Sequence, residues 1–298
     1  MNEPSQFSLL SQRRFAPFFG TQFLGALNDN VFRNGLVILI TFQGVLVAGM
    51  DHSELANVAA GLFILPFFLF SATAGQLADK YDKARLIRVV KLTEIILMIG
   101  TAIGFYLESV SFLMIMLFLM GTQSTFFGPL KYGILPDHLA KDELISGNGL
   151  IQAATFLAIL LGTVVGGVFI LNDNGVLVIS ISILTVAVAG WFASGFIPAT
   201  SPAVPELKVN PNFISETWRI IRYTAGHRDI FLAMLAISWF WLVGATFLAQ
   251  VPTFGKDVLG GDENLVTLLL LVFSVGIGIG SLLCNRMLKG AVHATYVP

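Results

Sequence analysis

The chain has 298 residues, 55% of them hydrophobic and only 12% charged, with 26 phenylalanines and a formal net charge of −1. A soluble domain carries about 25% charged residues. Half that charge, together with a mean hydropathy of +0.81, excludes a disordered chain, a nucleic-acid binder and an ordinary soluble enzyme, and leaves an all-α polytopic membrane protein.

Runs of about 20 apolar residues, the length that a bilayer requires, predict spans at 15–42, 56–78, 86–107, 110–127, 150–171, 175–197, 230–251 and 265–288. The connections are short except for 198–228, where Pro198, Pro202, Pro205 and Pro211 exclude one continuous helix. The expected organisation is therefore a six-helix bundle over 1–197, a linker over 198–228 and two further spans over 229–298. Within the linker, Ile214, Trp218 and Ile221 recur at helical spacing, while Glu216, Arg219 and Arg222 fill the other face. That pattern predicts a short amphipathic helix on the inner membrane surface. In the last span Cys284, the single cysteine, cannot form an internal disulfide and reads as a small apolar residue.

Orientation follows from Lys and Arg, which concentrate on the cytoplasmic side. Of the 17, 14 fall in or beside alternate loops, from Arg13 and Arg14 through Lys80–Arg88 and the linker to Arg286 and Lys289. The opposite loops hold Lys256, and Arg33 and Lys91 lie deeper inside spans. Both ends of the chain and the linker are thus expected in the cytoplasm. Ser11-Gln12-Arg13-Arg14-Phe15 has the form of a twin-arginine export signal, but no small-residue cleavage site follows, so the arginines read as positive-inside anchors.

An ionisable side chain at membrane depth costs several kcal/mol by the lower estimates and is a functional candidate by default. Asp29 stands in Asn28-Asp29-Asn30 at the middle of the first span, with Arg33 at i+4, where the two can pair on one helix face. Lys91 and Glu94 share a face of the third span, and Lys91 is close enough to its end to snorkel. The fourth span closes on a polar stretch, 121–133, whose Gly128 and Pro129 predict a break in the helix, with Lys131 there as a cation for an anionic group. No His, Cys or carboxylate cluster has metal-ligand spacing, and neither a Ser/His/Asp set nor a phosphate-cradling glycine loop appears. No catalytic residue, metal or cofactor is expected.

Between the second and third spans lies Gly75-Gln76-Leu77-Ala78-Asp79-Lys80-Tyr81-Asp82-Lys83-Ala84-Arg85. It resembles the loop signature G-x-L-A-D-r-x-G-r-r of the major facilitator superfamily, with Asp82 in place of the second glycine. Its expected content is a close helix approach at Gly75 and a charge network at the cytoplasmic mouth, with Asp79 paired to Arg85, Arg88 or a helix N-terminus. The fifth span adds Gly162-Thr163-Val164-Val165-Gly166-Gly167, which looks like the superfamily's G-P-x-x-G-G with Thr163 for proline. Gly162, Gly166 and Gly167 are expected to let two helices touch backbone to backbone. The superfamily's fourth-span arginine has no counterpart. Gly280-Ser281-Leu282 closes the eighth span as Gly75-Gln76-Leu77 closes the second, as expected of parallel six-helix repeats with the substrate between them. Counted so, the chain looks like the first half and two helices of the second half of a twelve-span transporter.

Three further strings, Gln22-Phe23-Leu24-Gly25-Ala26-Leu27-Asn28-Asp29-Asn30, Gly128-Pro129-Leu130-Lys131-Tyr132-Gly133 and Gly147-Asn148-Gly149-Leu150-Ile151-Gln152, resemble the bacterial lysophospholipid transporter family. That resemblance implies alternating-access flipping of lysophosphatidylethanolamine from the outer to the inner leaflet of the cytoplasmic membrane for reacylation. Some members are fused to an acyltransferase and an acyl-carrier-protein synthetase, and residues 5–15 look like that branch. A zwitterionic head group needs an anion for its ammonium and a cation for its phosphate. The expected substrate residues are accordingly Asp29 for the ammonium, Arg33 and Lys131 for the phosphate, and Asn30 and Glu94 beside them, with the acyl chain against phenylalanine-rich faces or membrane lipid. Two other readings use the same residues: a proton-coupled exporter of small molecules with Asp29 or Glu94 carrying the proton, and a membrane anchor for a fused acyltransferase.

Overall fold

The computed structural model describes residues 6–43, 50, 52–254, 258–260 and 263–288. Lys256 and Lys289 lie outside them. A 3-10 turn, Gln6–Ser11, precedes helices α1 (Ala16–Gln43), α2 (His52–Lys80), α3 (Lys83–Tyr106), α4 (Val110–Gly133), α5 (Leu135–His138), α6 (Leu144–Phe169), α7 (Gly175–Ser194), α8 (Phe213–Ala225), α9 (Arg228–Thr253) and α10 (Glu263–Leu288). The eight expected spans are α1–α4, α6, α7, α9 and α10, and the amphipathic segment of the linker is α8.

Segments Asn57–Lys80, Val110–His138, Leu144–Phe169 and Gly175–Ser194 are long and apolar enough to cross a membrane. Helices α1 and α3 match them in length but carry the polar side chains that give the molecule its interior chemistry. The expected break in α4 is absent, since the helix runs through Gly128 and Pro129 to Gly133. A proline removes one helical N–H, and inside a bundle neighbouring helices make that loss tolerable. The chain turns only at Ile134, whose N–H still reaches the Leu130 carbonyl at 3.1 Å.

Helix α1 is central to the first six spans, packing along α6 and α7, while α2 packs on α4, and α3 on α4 and α7. Two apolar clusters result. One gathers Phe32, Leu36, Ile40, Met98, Phe105, Leu113, Leu117, Ile179 and Ile183. The other, at the end bearing the basic loops, gathers Phe15, Phe18, Ala84, Ile87, Leu130, Ile134, Leu150 and Ile151. On α1, α3 and α4 the buried residues between the two clusters are, Gly121 apart, polar: Thr21, Gln22, Asn28, Asn30, Lys91, Glu94, Gln123 and Thr125.

Glycine sets the closest crossings. A Cβ on Gly166 would lie 2.5 Å from the Val31 carbonyl oxygen and 2.9 Å from the Gly35 nitrogen, and one on Gly162 would lie 2.8 Å from the Leu27 oxygen. Helices α1 and α6 therefore meet backbone to backbone at Gly162 and Gly166. Gly167 makes only an ordinary contact, 3.9 Å to Ile38. Gly75 departs from expectation, because nothing stands within 4 Å of a Cβ built there, so no helix approaches it closely.

Helix α10 lies along α6, where a Cβ on Gly149 would come within 2.6 Å of the Ser281 carbonyl oxygen. The expectation of a first bundle plus two helices of a second one has those last two helices standing apart, yet α10 is seated on the first bundle. Helix α9 is the more isolated, with Ile230, Leu235, Trp239 and Trp241 exposed. The two glycine sites make opposite predictions. Gly166→Ala should lower the thermal unfolding temperature in detergent by forcing α1 and α6 apart, whereas Gly75→Ala should leave it unchanged or raise it, since alanine adds up to about 1 kcal/mol of helix propensity to the stability.

Candidate functional site

The polar layer between the two apolar clusters is built around Glu94. Its carboxylate accepts from Asn28 Nδ2 of α1 at 2.9 Å, from Gln123 Nε2 of α4 at 3.3 Å and from Lys91 Nζ one helical turn earlier. Lys91 and Glu94 are each only 1% exposed. Lys91 does not snorkel: it is paired in the interior, where the gap beside α3 is lined by glycine. A Cβ on Gly25 of α1 would lie 2.8 Å from Lys91 Nζ, and one on Gly190 of α7 would lie 2.9 Å from its Cε. Burying the ion pair is thus made tolerable by missing side chains on two neighbouring helices and by two amides that complete the carboxylate's hydrogen bonds.

Asp29 lies one residue on and points to α4, where its Oδ2 accepts from Ser124 Oγ at 2.7 Å. Ser124 Oγ also lies 3.3 Å from Gln123 Oε1, so Asp29 and Glu94 belong to one chain of polar groups. The expected Asp29–Arg33 pair does not form. Arg33 Nη2 donates to Asn30 Oδ1 at 2.7 Å, and the guanidinium lies 5.6 Å from the centroid of the Phe63 ring. Ser124 offers the carboxylate a short hydrogen bond across the bundle, and Asn30 gives the arginine a neutral acceptor within its own turn. Neither Asp29 nor Arg33 makes an ion pair among the described residues. Asn30 is also tied to the Ala26 carbonyl at 2.7 Å, and Asn34 reaches Thr163 Oγ1, at the position of the missing proline, at 3.0 Å.

Lys131 lies two turns beyond Ser124 on the same face of α4, about 10 Å further along the axis. Its Nζ donates to Thr155 Oγ1 of α6 at 2.7 Å, and that hydroxyl in turn lies 3.2 Å from Gln22 Oε1. Gln22 is likewise two turns from Asp29 on α1. The two helices thus carry matched pairs, Asp29 with Ser124 and Gln22 with Lys131 through Thr155. Lys131 makes no ion pair among the described residues. Along the nearby α6–α10 seam lie two clefts. One, of about 490 Å³, is apolar and lined by Phe7, Phe19, Phe23, Phe156, Leu157 and Ile279 among others. The other, of about 540 Å³, is bounded by Tyr132, Asn148, Gln152 and Ser281. No group of three or more His, Cys, Asp or Glu side chains suited to a metal occurs among the described residues.

At the basic end, the charge network differs from the expected one. Asp79 is exposed, and its carboxylate has no hydrogen bond or ion pair among the described residues. Arg85 is exposed as well. Arg88 turns to the end of α7, donating to the carbonyls of Ser194, Gly195 and Ile197 at 3.1–3.3 Å, because that helix terminus presents a cluster of carbonyl acceptors. Asp82, the departure from the loop signature, does the work instead. It caps α3 through the Ala84 N–H at 2.9 Å and accepts from Thr200 N at 3.1 Å and Thr200 Oγ1 at 2.9 Å. Burial works against its charge, but the Thr200 and Ala84 hydrogen bonds more than offset this and hold the carboxyl below its ordinary value. Beside it, Lys83 pairs with Asp137 at 2.9 Å, and Arg14 grips Glu143 through two nitrogens at 2.6 and 2.7 Å.

Sequence reasoning missed Ser124, Thr155, Gln22 and Thr200 as partners. Each is a neutral residue common in helices and loops, and only the spacing of Gln22 to Asp29 and of Ser124 to Lys131, seven residues in both cases, could have suggested them. Two outcomes test the geometry. Lys91→Met should destabilise the protein by about 3–5 kcal/mol by leaving Glu94 charged and unpaired, while Lys91→Met combined with Glu94→Met should recover most of it, read from thermal unfolding in detergent. Asp82→Ala should cost about 1 kcal/mol of capping. Since the Asp82 carboxyl is depressed, its contribution is complete at neutral pH and fades as pH falls through the depressed value, so the variant should unfold with a flatter pH dependence on the acid side.

Residues 16–294 match the Major Facilitator Superfamily. Among curated proteins the chain is 27% identical to lysophospholipid transporter LplT of Escherichia fergusonii, over 87% of this chain and 62% of that protein. It is 28% identical to LplT of Serratia proteamaculans, over 93% of this chain and 67% of that protein, and 30% identical to LplT of Salmonella schwarzengrund, over 87% and 57%. The chain thus spans about 57–67% of the length of these relatives. Among solved structures it resembles a bacterial homologue of the iron transporter ferroportin in an outward-facing state, with a TM-score of 0.58 at 17% identity, covering 91% of this chain and 68% of that one. That likeness extends to the fold, and with the sequence match over residues 16–294 it establishes that the chain belongs to the Major Facilitator Superfamily.

Proposed function

We propose that this chain is part of a lysophospholipid transporter of the bacterial inner membrane. In this reading it moves lysophosphatidylethanolamine-like lipids from the outer to the inner leaflet by alternating access, with the basic loops in the cytoplasm and reacylation following. The relatives named as lysophospholipid transporters support the substrate class. The observation that carries the residue assignment is a contrast within the polar layer. Lys91 and Glu94 satisfy one another, whereas Asp29, Arg33 and Lys131 stand in the same bundle with only neutral hydrogen-bond partners.

A zwitterionic head group brings the charges these side chains lack. Its ammonium suits Asp29, and its phosphate suits Arg33 or Lys131. Asn30 orients Arg33. Glu94 is already saturated, so its role in this reading is to hold Lys91, Asn28 and Gln123 in place rather than to touch cargo. The apolar cleft along α6 and α10 suits the single acyl chain. Nothing in this reading requires the acyltransferase to be part of the same chain.

The test is flipping of labelled lysophosphatidylethanolamine in proteoliposomes, normalised to folded protein. A charged hydrogen bond in such a site contributes about 1.5–3 kcal/mol, so Asp29→Asn should slow flipping about tenfold or more with insertion unchanged. Flipping by Asp29→Asn at the rate of the unsubstituted protein would remove Asp29 from the substrate site. No flipping of lysolipid by the folded protein, with export of small molecules driven by an imposed pH gradient, would favour the proton-coupled exporter reading.

A further inference from the structure

Helix α8 is built with its polar and apolar sides in an unusual relation to the protein. Glu216 is 1% exposed and faces inward, while Ile214 and Trp218 are 68% and 60% exposed. At about 100° per residue, α8 presents three arcs. Phe213, Glu216, Thr217, Ile220 and Thr224 form the arc toward the protein, with Ile220 still partly exposed; Ile214, Trp218 and Ile221 form an apolar arc roughly a quarter-turn away, and Ser215, Arg219 and Arg222 a polar and basic arc beyond that. A helix that only packed on the bundle would turn its apolar arc inward.

Its seat is fixed from several points. Asn212 caps it through the Ser215 N–H at 3.0 Å. Inside the seat, Glu216 accepts from Arg219 and from Asn210 Nδ2, the latter at 3.3 Å. The backbone of Asn210 is clasped by Gln76 of α2, which accepts from its N–H at 2.7 Å and donates to its carbonyl at 3.2 Å. Upstream, the Val204 N–H donates to the Asp79 carbonyl at 2.8 Å, and Thr200 is held by Asp82. The linker is therefore strapped to the basic end of α2 and α3, and α8 packs on α2. Since Asn57–Lys80 is a bilayer-length span, contact near Gln76 and Asp79 puts α8 at the level where that span meets the head groups.

We infer that α8 is an in-plane membrane anchor, with Ile214, Trp218 and Ile221 in the outer part of the acyl region and Arg222 at anionic phospholipid head groups. Trp218 and Arg222 fit that level together, since indole rings concentrate at membrane interfaces and the Arg222 guanidinium lies 5.9 Å from the Trp218 ring centroid. The charge match is to an anionic surface, because the one acid of the helix is turned inward and paired with Arg219, which leaves the positive charge of Arg222 unpaired among the described residues. This lipid contact is separate from the cargo site and does not depend on what the protein carries.

The test uses the full chain in vesicles of phosphatidylcholine with and without phosphatidylglycerol, with Trp191, Trp239 and Trp241 replaced by Phe so that Trp218 alone emits. Shallow nitroxide-labelled phosphatidylcholine should quench about half of that emission or more, iodide should quench little, and phosphatidylglycerol should shift the emission to the blue. Arg222→Glu should abolish the phosphatidylglycerol effect. If the triple replacement does not fold, Trp218→Cys in a Cys284→Ser background, labelled with an environment-sensitive dye, reads the same depth. Ready quenching by iodide overturns the inference, since the helix is then in water. Protection from both quenchers also overturns it, since protein then covers the apolar arc. A phosphatidylglycerol effect that survives Arg222→Glu overturns the head-group assignment.

Discussion

An unpaired charge at membrane depth is costly, and the arrangement of the first six spans follows from how Lys91 and Glu94 neutralise one another there. The pair draws Asn28 from α1 and Gln123 from α4 to the carboxylate, and it requires Gly25 and Gly190 where α1 and α7 pass the lysine. Four helices are thereby set in register at one level. The apolar clusters on either side have only to fill the remaining volume, which shape-tolerant leucine, isoleucine, methionine and phenylalanine do well.

That fixed level gives the neighbouring side chains their freedom. Asp29 adjoins Asn28 in sequence, and Ser124 adjoins Gln123, so the residues that bind the structural pair also present the next two to one another across the bundle. A rigid polar pair thus sits beside ionisable groups whose partners are neutral hydroxyls and amides, which release more readily than a counter-ion. The Major Facilitator fold supplies the crossings, and the α1–α6 contact at Gly162 and Gly166 brings Asn30 and Asn34 close to α6.

Much of this was legible in the sequence because it rests on local patterns. Eight apolar runs became eight helices, the spacing of Ile214, Trp218 and Ile221 became α8, and Gly162 and Gly166 met α1 as small residues do. The failures share a physical cause, which is that pairing is decided by what lies across the bundle and not by spacing along one helix. Asp29 and Arg33 sit at i and i+4, yet each found a better-placed neutral partner. Lys91 is near enough to its helix end to snorkel, but glycines on α1 and α7 that no local pattern connects to it leave room inside. Asp79 and Asp82 were separated in the same way, by a linker threonine more than a hundred residues distant.

The unbroken course of α4 has a mechanical consequence. A kink at Gly128 and Pro129 would have let the segment bearing Lys131 swing independently of the segment bearing Ser124. Continuous helix makes a strut of it instead, so that an axial shift at the lysine is carried along α4 to the hydroxyl that holds Asp29. The two levels of the polar interior are thereby coupled by geometry alone.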